Sequence, residues 1–235
     1  AGPMPQPNAP RHPSLETVAR PKQARSERTL HRLLDAAESL IEQTGSAEVS
    51  IPEIVHQAHS SVGGFYARFR DKNELLRALE ERFFREQRAR LERLTKPEAW
   101  GDARLPEIVR ACMAELVGVF RERSALIRAF VARAVHDVEF RGEAQRFERE
   151  VGERVSSLLL SRPDAIGHPR PELAIPLAVA IVFGAMTAGA LFGDPRHAFA
   201  RLSEEQAADE LARNFLGYLN VSTGAPILVA APRRT

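Results

Sequence analysis

Ser60-Ser61-Val62-Gly63-Gly64-Phe65-Tyr66-Ala67-Arg68-Phe69-Arg70-Asp71-Lys72, written SSVGGFYARFRDK, lies between two helical patterns, and its reading decides the fold. Glycine inside a helix costs about 1 kcal/mol relative to alanine, so a short helix that opens on Gly63-Gly64 gives up stability to keep its leading turn almost bare. Ser61 is placed to cap that helix, which is expected to reach Phe69. A bare, capped helix start invites the close approach of something outside the chain.

Working outward, Leu30, Leu33, Leu34, Ala37, Leu40 and Ile41 repeat at the helical period and stop before Gly45, which predicts a first helix of about five turns. Ser50-Ile51-Pro52-Glu53 is a capping box with proline in the first turn, opening a short second helix through Ile54, Val55 and Ala58. Asp71-Lys72-Asn73-Glu74 reads as another capping box, opening a long helix with Leu75, Leu76, Leu79 and Phe83 turned inward. Two short helices joined by a tight turn after a longer one make a helix-turn-helix.

Beyond Lys96-Pro97 the pattern stays helical. Amphipathic runs are predicted over Leu105 to Arg121, Ser124 to Val135 and Val138 to Leu160, with Ile108, Cys112, Leu116, Phe120, Leu126, Ile127 and Phe130 as core candidates. Pro163 and Gly167 break the chain there. Leu173 to Phe192, LAIPLAVAIVFGAMTAGALF, carries no charge and has the length of a membrane span. It is read instead as a helix buried between protein surfaces: Pro176 falls in its first turn, and Ala180, Gly184 and Ala188 form a small-residue row that permits close approach. Gly193-Asp194-Pro195 ends it, and Ser203-Glu204-Glu205-Gln206 caps a last helix carrying Ala207, Ala208, Leu211, Phe215, Leu216 and Leu219 on one side. The fold class is therefore all-α, with a small three-helix domain followed by a larger helical one. The expected division is an arm at 1–20 without fixed structure, a helix-turn-helix domain at 21–70, a connecting helix at 71–96, a larger domain at 97–220 and a loose tail at 221–235.

Composition narrows the function. The chain has 235 residues, 44% apolar, and a net charge of only +2, so any basic character that matters is local. It gathers in Arg20, Lys22, Arg25, Arg28 and Arg32. One cysteine, Cys112, excludes an internal disulfide and reads as a small core residue. Residues 1 to 20 lack the apolar core of a signal peptide. His56 and His59 lack a third ligand, so no metal is expected, nor any other cofactor. No nucleophile elbow, phosphate-binding loop or metalloprotease pair is present, which argues against an enzyme. The arginines from Arg82 to Arg93 alternate with Glu81, Glu86 and Glu92 and read as a solvated helix face.

A helix that reads duplex DNA brings its N-terminal residues to the base edges, while hydroxyls, backbone N–H groups and cations at helix starts hold phosphates. Gly63 and Gly64 suit that approach, Ser61 and Tyr66 supply hydroxyls, and Lys72, which opposes the dipole of its own helix by about 0.3–1 kcal/mol, would be stabilised by a phosphate. Across Arg25 to Phe84 the order and spacing of Gly45, Ser50, Ile54, Ala58, Ser61, Gly63, Phe65, Tyr66, Phe69, Lys72 and Leu75 resemble the TetR family of bacterial repressors.

That resemblance implies a dimeric, cytoplasmic, nucleoid-associated regulator that binds a double-stranded DNA operator and is released by a small molecule. It implies phosphate contacts at Ser50, Ser61, Tyr66 and Lys72 and a groove-facing surface at Val62, Gly63 and Gly64; the cations Lys22, Arg25, Arg28 and Arg68 are added to the DNA-binding set. His59 and Ser60 depart from the glycine and apolar residue usual in the family's turn, which predicts slight strain there. Gly64 predicts sparse base readout, with DNA shape and the basic arm sharing specificity. For the ligand the candidates are Met113, Phe120, Phe130, Phe183 and Met186, all equally suited to a plain core. For a homodimer they are Ala180, Gly184, Ala188, Leu211, Phe215 and Leu219. A ligand-independent DNA-binding regulator of the same fold is the alternative.

Overall fold

The computed structural model describes residues 15–162, 166–192 and 201–221, with side chains described over 26–162, 166–191 and 201–221. Among these residues the architecture is all-helical: α1 (Leu15–Thr44), α2 (Ile51–Gln57), α3 (Val62–Tyr66), α4 (Lys72–Leu94), α5 (Leu105–Glu122), α6 (Ser124–Ala134), α7 (Val138–Leu160), α8 (Pro171–Phe192) and α9 (Glu204–Tyr218). A single 3₁₀ turn (Pro97–Ala99) follows α4. The chain divides into two compact units. Among the described residues one comprises α1 up to Leu40 with Val49–Leu75, and the other Ile41–Glu48 with everything from Leu76 on, so the division falls inside α4.

Local chemistry explains the element boundaries. Gly45 takes a left-handed φ of +69° and ends α1, its N–H returning to the Ile41 carbonyl at 2.8 Å. Ser50 and Glu53 close the expected capping box at α2, and Ser203 and Gln206 do the same at α9. The box at α4 is only half formed. Asp71 accepts from the Glu74 N–H at 2.9 Å, but the Glu74 carboxylate reaches past Asp71 to the N–H of Arg70 at 2.6 Å. α3 stops at Tyr66 rather than Phe69.

Three further boundaries differ from expectation. α1 begins at Leu15, inside the stretch read as an arm, and runs on through Pro21, whose missing N–H removes one bond from the ladder; residues 1–14 lie outside the described residues. Pro176 sits in the interior of α8, because the helix starts on Pro171 and not Leu173; its missing N–H removes one bond from the ladder. Val221 is buried and bridges Ile166 in antiparallel fashion, so the tail cannot begin before Ser222. Pro163, the Gly193-Asp194-Pro195 break and the tail from Ser222 lie outside the described residues.

In the first unit Leu33, Leu34, Ala37, Ile54, Val55, Phe65, Phe69 and Leu75 form the interior, with the Phe65 ring edge-on to Tyr66. Each large apolar side chain removed from water this way contributes about 1.5–3 kcal/mol. In the second unit α5 packs along α9, and α8 packs against α7 and α6. Ile108, Leu158, Ala174, Ile175, Ala207 and Phe215 are central to that core. Ion pairs cross between helices as well. Arg88 of α4 holds Glu143 (2.6 Å) and Glu150 (3.0 Å) of α7, and Arg90 holds Glu115 of α5 (3.1 Å). The arginine face of α4 is thus partly an internal fastening, not only the solvated surface expected.

Candidate functional site

The turn between α2 and α3 is built by backbone hydrogen bonds. His59 N–H donates to the His56 carbonyl (3.1 Å) and Ser60 N–H to the Val55 carbonyl (2.9 Å), the paired closure of a Schellman motif. His59 occupies the left-handed region with φ +46°, where histidine is tolerated better than most residues at a cost of about 1–2 kcal/mol. Arg32 of α1 donates to the His59 carbonyl at 3.4 Å.

Ser61 then caps α3, its hydroxyl accepting from Gly64 N–H at 3.0 Å, which leaves the hydroxyl proton to donate outward. Val62, Gly63 and Tyr66 are exposed on this short helix. The two glycines differ. A Cβ on Gly64 would stand 2.8 Å from the Ser60 hydroxyl and 3.3 Å from the Ser61 hydroxyl that caps the helix, so one of them would have to turn aside, whereas a Cβ on Gly63 would meet nothing closer than 3.9 Å. Internal packing therefore does not demand glycine at 63, and the bare backbone there faces outward.

Several expected DNA contacts are placed otherwise. Ser50 donates its hydroxyl proton to the Glu53 carboxylate at 2.6 Å and its N–H to the same group at 2.8 Å. With both donors held by Glu53, whose pKa the Ser50 hydroxyl lowers, Ser50 has none left for a phosphate. Arg68 is a strut. Its guanidinium donates to the Gly64 carbonyl (2.8 Å), the Ser26 carbonyl (3.2 Å) and the Ser26 hydroxyl (3.3 Å), tying α1 to α3. Lys72 stands in the first turn of α4 and Arg28 is exposed on α1; the side chains of Lys22 and Arg25 lie outside the described residues. Arg70, passed over in the sequence reading, is highly exposed beside Tyr66 and Lys72 in sequence, and pairs with Glu74 at 3.3 Å.

The second unit holds a cavity of about 560 Å³ among α4, α5, α6, α7 and α8. Four of the five candidate ligand residues, Met113, Phe120, Phe130 and Phe183, line it; Met186 is buried in the core and does not. Phe83, Phe84, Phe140 and Phe147 complete an aromatic wall, linked edge to face through Phe83–Phe130 and Phe147–Phe183. Cys112, expected in the core, is on this wall, and burial pushes its thiol up to about 11, so it is a protonated, unreactive group. Gln87 and Arg90 also line the cavity and were missed. The signal for Gln87 was present: it occupies an inward position of α4 between Phe83, Phe84 and Leu91 where the period calls for an apolar residue.

α8 is long and apolar enough to cross a membrane, but one side of it packs on α6 and α7. It is not buried all round. Leu173, Leu177 and Ile181 are 58%, 51% and 51% exposed along one outer stripe, and Gly184 continues it with open space where a Cβ would stand. Ala180, Gly184 and Ala188 also border the cavity. Of the residues expected at an interface, Leu211, Phe215 and Leu219 are buried against the chain's own core. Helical period identified their common face but not what it packs on.

Residues 33–79 match the family model described as bacterial regulatory proteins, tetR family. The whole fold is similar to a TetR-family transcriptional regulator of Mesorhizobium loti MAFF303099 (23% identity, 82% of this chain and 97% of that one, TM-score 0.65). It is also similar to the regulator FadR of Bacillus subtilis in complex with stearoyl-CoA (16% identity, 80% and 98%, TM-score 0.60) and to a transcriptional regulator of Rhodococcus sp. Rha1 (22%, 82% and 96%, 0.56). No curated protein matches the chain. Residues 33–79 thus carry the segment the tetR-family model describes, and the described chain as a whole follows the fold of TetR-family regulators.

Proposed function

We propose that this regulator is a homodimeric, cytoplasmic repressor that leaves its double-stranded operator when a small apolar or amphipathic molecule enters the cavity of the second unit. The observation that carries the reading is the cavity itself: about 560 Å³ lined by phenylalanines, in a chain whose other unit is a DNA-binding domain. Close-packed interiors rarely leave voids larger than a water molecule, whereas ligand pockets occupy roughly 300–1,000 Å³. That the FadR neighbour is seen in complex with stearoyl-CoA, an amphipathic molecule with a long apolar chain, supports this reading. α4 supplies covalent continuity, with Lys72 in its first turn and Phe83, Phe84 and Leu91 on the cavity wall further along. A ligand releases DNA only by binding the two states with different affinity, and a hundredfold loss requires about 2.7 kcal/mol of coupling.

Support for the dimer is the apolar stripe of Leu173, Leu177 and Ile181, which a second copy would cover while spacing two reading heads on one duplex. The test is to select operator fragments from genomic DNA, measure affinity by fluorescence anisotropy, and titrate apolar compounds into the complex with thermal shift in parallel. Compounds that stabilise the protein should release the DNA. Stabilisation without any change in operator affinity would instead favour the ligand-independent regulator.

A further inference from the structure

The polar groups on the cavity wall say which ligands it accepts. Gln87 is 7% exposed and lines the cavity, and among the described residues its side chain takes part in no hydrogen bond. Its amide borders the open space of the cavity and offers a donor and an acceptor to whatever enters. Of the other polar side chains on the wall, Thr187 of α8 offers a hydroxyl but is only partly buried, and the rest are accounted for differently. Thr95 donates its hydroxyl to the Leu91 carbonyl at 2.8 Å. Arg90, the one cation among the described lining residues, is neutralised by Glu115 at 3.1 Å and Glu122 at 3.9 Å. Glu148 lines the cavity, is half-buried, and forms no ion pair among the described residues. An anionic head group would therefore find its only counter-charge already doubly occupied and would meet two carboxylates. A cationic one could meet the half-buried Glu148, but beside Gln87 it would have to shed its hydration against a neutral amide.

We infer that the cavity selects uncharged, largely aromatic or alicyclic molecules carrying one neutral hydrogen-bonding group, and that Gln87 is the residue that reads this group. The inference rests on the ligand-binding reading above and separates this chain from the neighbour seen with an acyl-CoA, whose charged phosphates would be rejected here. Phe83, Phe84, Phe130 and Phe147 supply the flat apolar contacts, and the Gln87 amide, able both to donate and to accept, pairs with a hydroxyl or carbonyl.

The experiment uses the full chain and four probes that share one body: pyrene, pyrenemethanol, pyrenecarboxylate and pyrenemethylamine, each titrated by its own fluorescence in the absence of DNA. Pyrenemethanol should bind about two- to tenfold more tightly than pyrene, the worth of one net hydrogen bond, and the two charged probes should bind more weakly than either. Gln87→Met, of nearly equal length, should bind pyrene as well as before and lose the preference for pyrenemethanol. Without ligand it should melt no lower, because the amide removed makes no hydrogen bond within the described chain; Gln87→Leu should behave alike. Tighter binding of either charged probe, a preference that survives in both variants, or variants that melt lower would overturn the proposal. If no probe binds, the ligand-binding reading falls with it. If Gln87 selects as stated but no bound probe changes operator affinity, only the release mechanism fails.

Discussion

Lys72 and Tyr66 are where the DNA-binding reading meets single atoms. A cation in the first turn of α4 opposes the helix dipole, and an exposed phenol on α3 has a hydroxyl that the protein interior does not need. If both hold phosphates they carry no base information, so Tyr66→Phe and Lys72→Ala should weaken binding to every DNA sequence about equally. Lys72→Ala should also make the salt dependence shallower by about one phosphate's worth, read from affinities across a salt series. An unchanged slope would move the docking face elsewhere. Glu80 poses a different residue-scale question. It is buried on α4 with one carboxylate oxygen lacking a partner, and burial pushes its pKa up to about 8, Glu143 and Asp137 adding to the shift and Arg133 opposing it. Arg88 meanwhile holds Glu143 below the usual carboxylate range, so of the two acids Glu80 is the one that keeps its proton. Because the folded pKa lies above the unfolded one, the stability that protonated Glu80 allows is complete below about pH 4.5 and is lost as pH rises through 8. The loss amounts to roughly 5 kcal/mol at most. Thermal melts of the unmutated chain should fall between pH 6 and pH 9, and Glu80→Gln should flatten that fall.

At the scale of elements, α8 carries the sharpest conflict between a lone chain and water. One side packs on α6 and α7, while Leu173, Leu177 and Ile181 stand about half exposed on the other. Leaving three large aliphatic groups in solvent forgoes several kcal/mol of burial, and a two-fold contact between copies would recover it. Leu177→Arg and Gly184→Arg should therefore shift the protein from dimer to folded monomer in sedimentation at micromolar concentration, with loss of cooperative binding to a palindromic operator. A folded monomer before any mutation would remove the basis for the interface. The short elements of the first unit show the opposite economy. α3 has five residues and would not persist alone; it is held by the Ser61 cap, the Schellman closure at His59 and the Arg68 strut to α1.

For the whole molecule, the decisive question is whether filling the cavity and gripping DNA are separable. Ala144 lines the cavity with a small side chain. Ala144→Phe should occupy the space, weaken pyrenemethanol binding at least about tenfold by overpacking, and leave operator affinity in the absence of ligand unchanged. Anisotropy titrations with and without probe measure both. Loss of both activities together would mean that the substitution disturbs the fold and not the site.

The sequence by itself determined the helices, the punctuation between them and the resemblance to a family. Those features depend on bonds that close within four residues: Ser50 with Glu53, Ser61 with Gly64, Ser203 with Gln206, the left-handed stop at Gly45. It also marked the bare approach at Gly63 and the apolar character of α8. What only the tertiary structure decided was the destination of each side chain. Leu211, Phe215 and Leu219 share a face with any interface helix of the same period, yet α5 covers them. Met113 and Met186 are chemically alike, yet one borders empty space and the other does not. Arg68 and Arg88 read as surface cations until Gly64, Ser26, Glu143 and Glu150 are brought beside them. A cavity is a volume left between helices far apart in the chain, so periodicity, which records only that a residue faces inward, cannot distinguish a packed neighbour from an absent one.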